Sequence, residues 1–188
     1  MLSRLRVLSL VFVVAMAGVG LAPELAHAAA ANPRLERELV ALTNVDRTSN
    51  GLTSLIEQDQ LIDLARERSD DMLNRNYFAH EIPPTGALVF TLMKDRGIPY
   101  RIAGENLAWN NSPETTSVQR AEQDFMNSTA HRANILKSEF DSIGVGAIPS
   151  TAKIMYTVLF MRPFDQPSAP EPAAPAAEAL APAPAEEE

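Results

Sequence analysis

The sequence predicts an α+β fold, a three-layer α-β-α sandwich with a small antiparallel sheet between helices. Three observations lead there. Between Asn32 and Leu136, apolar residues recur at helical spacing in segments parted by turn residues. From Ile143 to Met161 the period changes to two. Both faces of that last stretch are apolar, so the sheet must be covered on each side.

The elements follow in chain order. Asn32-Pro33 has the chemistry of an N-cap with proline at the first helical position. Leu35, Leu39 and Leu42 then fall at i, i+4 and i+7, a helix that should stop by Asn50-Gly51. A second helix starts at Asp59, carries Leu61, Ala65, Ser69 and Met72 on one face, and ends before Tyr77. A third covers about Ala87 to Arg96 and is stopped by Gly97, with Ile98 and Pro99 behind it. Ser112-Pro113-Glu114 opens a fourth, bearing Val118, Ala121 or Glu122, and Phe125. Ser128 or Thr129 caps a short fifth helix through His131 to Leu136. The end of the folded part is a hairpin. Ile143, Val145 and Ala147 alternate with Gly144 and Gly146, Pro149-Ser150-Thr151 turns the chain, and Lys153 to Met161 is a β-rich run.

Two flanking segments differ from this middle. Residues 1–28 open with Arg4 and Arg6, continue as the apolar run Val7 to Val19 and close on Ala26-His27-Ala28, the parts of a secretory signal peptide. The alternative is a retained anchor, but Gly18, Gly20, Pro23 and Glu24 interrupt the run before the roughly 20 residues that span a bilayer. Residues 165–188 are almost wholly Ala, Pro and Glu and hold six of the 14 prolines, a composition with little to bury that reads as a disordered tail. The domain between them is expected over residues 33–164. A unit of about 130 residues buries about two-thirds of its unfolded surface and can stand on its core alone.

Composition narrows the chemistry. The chain has 188 residues, 46% apolar and 21% charged, so wholesale disorder is out. The formal charge is −8, which argues against gripping nucleic acid by net electrostatics. The flanks carry most of that acidity, and the middle keeps 14 basic and 17 acidic residues. Cysteine is absent, which excludes a thiol nucleophile, a thiolate zinc site and a disulfide framework.

With His27 in the signal, the histidines left to the domain are His80 and His131. His80 ends Asn76-Tyr77-Phe78-Ala79-His80, and His131 lies in Ser128-Thr129-Ala130-His131-Arg132 at a helix start. Gly104-Glu105-Asn106 stands between them in a loop or strand. Two imidazoles and a carboxylate can make a divalent-metal site or an acid/base pair. Taken singly, the histidines read first as loop or capping residues and Glu105 as a surface carboxylate, and the spacing alone does not make a site of them. Trp109 and Tyr100 flank the Glu105 motif and either line a ligand surface or belong to the core.

The order Leu42-Thr43-Asn44-x-x-Arg47, Gly51-Leu52-x-x-Leu55, Asn76 to His80, Gly104-Glu105-Asn106-Leu107 and Ser128-x-x-His131-Arg132-x-Asn134-Ile135-Leu136 resembles the CAP superfamily. These are the cysteine-rich secretory, antigen 5 and pathogenesis-related proteins, also called SCP domains. Ile143-Gly144-Val145-Gly146 and Tyr156-Thr157-x-x-Phe160 fit as well, and the likeness is to the short cysteine-free bacterial branch. The resemblance implies an α-β-α sandwich with a cleft where His80, Glu105 and His131 converge, a cleft that in relatives can hold zinc or another divalent ion. The second acidic residue of eukaryotic relatives stands three positions after a helix tryptophan. Phe125 takes the tryptophan place here and Ser128 the acid's, with Glu122 a substitute only if its helix face turns inward.

Two functional classes follow. In the first, the chain is a secreted, cell-envelope-associated binding module for a lipid, a wall component or a protein. His80 and His131 would hold a divalent cation weakly, Asn106 and Asn134 would orient the loops, and no nucleic acid or stable membrane insertion is involved. In the second, it is a metal-assisted extracellular hydrolase with Glu105 as general base.

Overall fold

The computed structural model describes residues 30–164, so the expected signal peptide and tail lie outside the described residues. Five helices and four strands follow in the order α1 (Pro33–Ser49), β1 (Ile56–Glu57), α2 (Asp59–Asn74), α3 (Val89–Asp95), β2 (Ile102–Asn110), α4 (Glu114–Asn127), α5 (Thr129–Ile135), β3 (Ser142–Pro149) and β4 (Ile154–Arg162). The strands form one sheet in the order β1-β3-β4-β2. α2 lies on one face of it; α1, α4 and α5 cover the other.

Local chemistry explains the boundaries. The Asn32 side chain accepts from the backbone N–H of Arg34 and Leu35, capping α1 as its position predicts. Gly97, at φ +66°, ends the turn after α3 in the left-handed region. α3 begins at Val89 rather than Ala87, because Ala87 is bridged back to Ile82.

The central strands separate two cores. Ile143, Val145 and Ala147 of β3, with Ile154, Tyr156, Val158 and Phe160 of β4, pack under α1, α4 and α5. Leu159 and Met161 point the other way, against Leu61, Leu64 and Ala65 of α2 and Val89 and Met93 of α3. Thr157, inside that second layer, is satisfied by the Ser69 hydroxyl at 2.9 Å.

One feature of the expected sheet needs correcting. β2–β4 and β3–β4 are antiparallel, but β1 joins β3 in parallel, Ile56 beside Ser142 and Glu57 beside Ile143. The sheet is therefore mixed. A two-residue strand with both side chains exposed carries no periodic signal to read.

Candidate functional site

The candidate site is built around β2, the strand at one edge of the sheet. Alternation along it sends Glu105 toward α2 and Asn106 toward α5. Glu105 is thereby buried among groups it can bond, its side chain 3% exposed.

Arg68 of α2 is the partner the sequence reading missed. Its side chain is 1% exposed, and Nε donates to Glu105 Oε1 at 3.1 Å. Its remaining nitrogens donate to the Tyr77 hydroxyl at 2.6 Å and to the Ala79 and His80 carbonyls at 3.0 and 3.5 Å. The Tyr77 hydroxyl in turn donates to Asp71. One guanidinium thus fixes both the carboxylate and the backbone of the loop that carries His80.

His80 Nδ1 donates to the other oxygen of Glu105, Oε2, at 2.7 Å. That bond settles the ring: Nδ1 faces the carboxylate and Nε2 turns away from it. The imidazole is half exposed, and the Glu105 hydrogen bond raises its pKa against the opposing effect of burial.

His131 approaches from the other side on α5. Asn106 Nδ2 donates to the His131 carbonyl at 3.0 Å, and Asn134 Nδ2 donates to Asn106 Oδ1 at 2.8 Å and to the Glu105 carbonyl at 3.3 Å. These two asparagines tie α5 to β2, the orienting part expected of them. The His131 ring stands edge-on to Phe125, centroids 5.3 Å apart. Burial lowers its pKa, and the charge of His80 lowers it further, so the two rings lie within each other's field.

The remaining candidates make other contacts. Ser128 Oγ accepts from the backbone N–H of His131 at 3.5 Å and serves as the N-cap of α5. Glu122 does turn inward, but toward α1, where Thr43 donates to it at 3.1 Å. Trp109 is 49% exposed, with the Lys153 ammonium 5.2 Å from its ring centroid. Tyr100 instead packs beside Phe90 at 6.3 Å against the α2–α3 core.

As a metal centre the donor set is short. Both oxygens of Glu105 are committed, which leaves two imidazoles where zinc usually takes three or four protein ligands. Among the described residues, no group of three or more His, Asp and Glu side chains could hold an ion. The residues present do not fit a tightly held resident zinc.

Comparison with known proteins places the fold. The profile of the cysteine-rich secretory protein family, CAP, matches residues 40–160. The uncharacterized protein YkwD of Bacillus subtilis is 43% identical over 116 residues, covering 61% of this chain and 43% of that protein. The uncharacterized membrane protein YlbC of the same organism is 32% identical over 111 residues, covering 59% and 31%. The chain thus spans less than half the length of either relative. Among solved structures, an extracellular SCP-domain protein from Bacillus anthracis is 30% identical with a TM-score of 0.60, covering 69% of this chain and 41% of that one. An outer surface protein from Borrelia burgdorferi shares the fold at 19% identity and a TM-score of 0.61, covering 68% and 91%. With its α-β-α layers, and with a family match that spans nearly all of the described residues, the chain belongs to the cysteine-rich secretory protein family, CAP.

Proposed function

We propose that the protein is an extracellular binding module whose cleft, between the His80 loop and α5, engages a lipid, cell-wall or protein ligand. One observation carries this reading over the hydrolase: the carboxylate that would have to activate water is closed off from solvent. Glu105 lies between Arg68 and His80, with one oxygen on each. A general base must lie within hydrogen-bonding reach of the water it deprotonates, and the Glu105 side chain is only 3% exposed. Glu105 instead acts as a positioning residue that turns His80 Nε2 outward.

Export is supported by the composition of residues 1–28 and by the likeness to the extracellular Bacillus anthracis protein. No helix among the described residues is long and apolar enough to cross a membrane. Divalent ions enter the proposal only as weak partners of His80 Nε2 and the His131 ring. Their binding should fade below about pH 6.5, and earlier at His80, whose proton is held more tightly than usual.

The full chain, incubated with peptidoglycan, lipid vesicles and peptide or lipid-ester substrates, with and without zinc, tests the reading. Saturable binding without turnover is the expected result. Turnover that disappears in a folded Glu105→Gln variant would overturn it. Zinc titration by calorimetry should give weak binding in the wild type and none in the His80→Ala/His131→Ala double variant.

A further inference from the structure

Glu122 stands on the buried stripe of α4, in the packing between α4 and α1, and is only 5% exposed. Its Oε2 accepts from Thr43 Oγ1 of α1 at 3.1 Å. Its Oε1 is buried and has no donor. The next neighbour is another acid: the Asp46 carboxyl of α1 lies within hydrogen-bonding reach of Glu122. Two bare carboxylates cannot bond one another, and a buried oxygen without a donor is costly. A single proton resolves both problems.

We propose that Glu122 keeps its proton and donates it to the Asp46 carboxylate, a carboxyl–carboxylate latch between α4 and α1 that alkaline conditions release. Thr43 donates to the free oxygen of Glu122, and the proton on Oε1 is donated to Asp46. Loss of that proton leaves two negative charges facing each other in a largely buried interface.

The surroundings offer no substitute partner. Along α1, Arg47 commits its guanidinium to the carbonyls of Thr53, Ile135, Lys137 and Phe140. At the other end of α4, Glu114 pairs with Arg34 and Gln119 bonds Glu38. α5 meets α4 through His131 on Phe125, and β2 through uncharged Asn110 on Ser117. Among the described residues, Asp46 is the charged group that acts on Glu122. Burial first, then Asp46, pushes the pKa of Glu122 up to about 8.

The latch needs no ligand, so its test stands apart from the proposed cleft function. In the full chain labelled with carbon-13 at the glutamate carboxyls, one resonance should titrate near the alkaline value and vanish in Glu122→Gln. Asp46→Asn supplies Oε1 with an amide donor and removes the facing charge, so the Glu122 titration should move down toward the usual carboxylate range. Glu122→Gln keeps a donor aimed at Asp46 at every pH. Its urea midpoint should therefore rise relative to wild type as the pH goes from about 5 to about 8, then level off. A wild-type Glu122 that titrates with the ordinary glutamates overturns the proposal. So does a titration unchanged by Asp46→Asn.

Discussion

Arg68 shows how one interior charge organises the candidate site. With Glu105 it forms an ion pair almost closed to solvent. Replacing it by Met strands a buried carboxylate, at a cost of about 3–5 kcal/mol, measurable as a lower urea midpoint. Arg68→Lys keeps the charge but loses the fork that serves Tyr77, Ala79 and Glu105 together, and should recover only part of the loss. At His80 the leading influence is the Glu105 hydrogen bond. Glu105→Gln should therefore drop the His80 pKa below that of an ordinary imidazole, because burial and Arg68 both oppose the proton and Glu81 alone favours it. Proton NMR of the ring resonances across the acid range reads this directly. His80, Glu105 and His131 were visible in the sequence by residue type, and Arg68 was not. Yet it left a mark: Leu61, Leu64, Arg68 and Met72 share one helical stripe, so Arg68 is a charge on an apolar face. Glu122 and Arg47 sit on their own helices in the same way.

The elements were legible wherever a period could repeat. α1, α2 and α4 gave several turns of apolar stripe, and β4 gave eight consecutive buried residues. β1 escaped, because two exposed residues paired to β3 have no period of their own. Glycine spacing on β3, by contrast, had a definite packing reason. A Cβ at Gly144 would come within 2.3 Å of the Leu61 carbonyl carbon, and one at Gly146 within 2.3 Å of that of Ala65. Helix backbone cannot step aside as a side chain can. Gly144→Ala or Gly146→Ala should cost about 3 kcal/mol or more, seen in thermal unfolding as loss of the α2–sheet contact. Between α5 and β2, the decisive groups are amides. Asn134→Ala removes the donor to Asn106 Oδ1 and to the Glu105 carbonyl, with an expected loss of about 1–3 kcal/mol. The sequence motif marked these asparagines, but only the strand register showed what they join.

At the scale of the whole molecule, pH acts through groups of both signs. His80 and Glu122 both hold their protons more tightly in the fold than in the open chain. His131 does the opposite: its proton is held less tightly in the fold, so its share of the stability grows as pH rises to about 6.5 and is constant above. Above that point His80 and Glu122 decide, the folded state binds more protons than the unfolded one, and stability falls as pH rises. The Glu122 share declines from about pH 4.5 until its proton leaves at about 8; the His80 share declines from about pH 6.5 upward. Chemical denaturation should show a midpoint that falls from about pH 6.5 toward about pH 8, while below that range the His131 and Glu122 shares oppose one another. Arg47 has a different kind of reach. Its four hydrogen bonds to carbonyl oxygens reach three segments: the loop after α1, the end of α5 and the connection into β3. That connection, residues 136–141, has no helix or strand of its own. Its resistance to a protease is on loan from a distant side chain, so in an Arg47→Leu variant trypsin should nick the backbone first after Lys137.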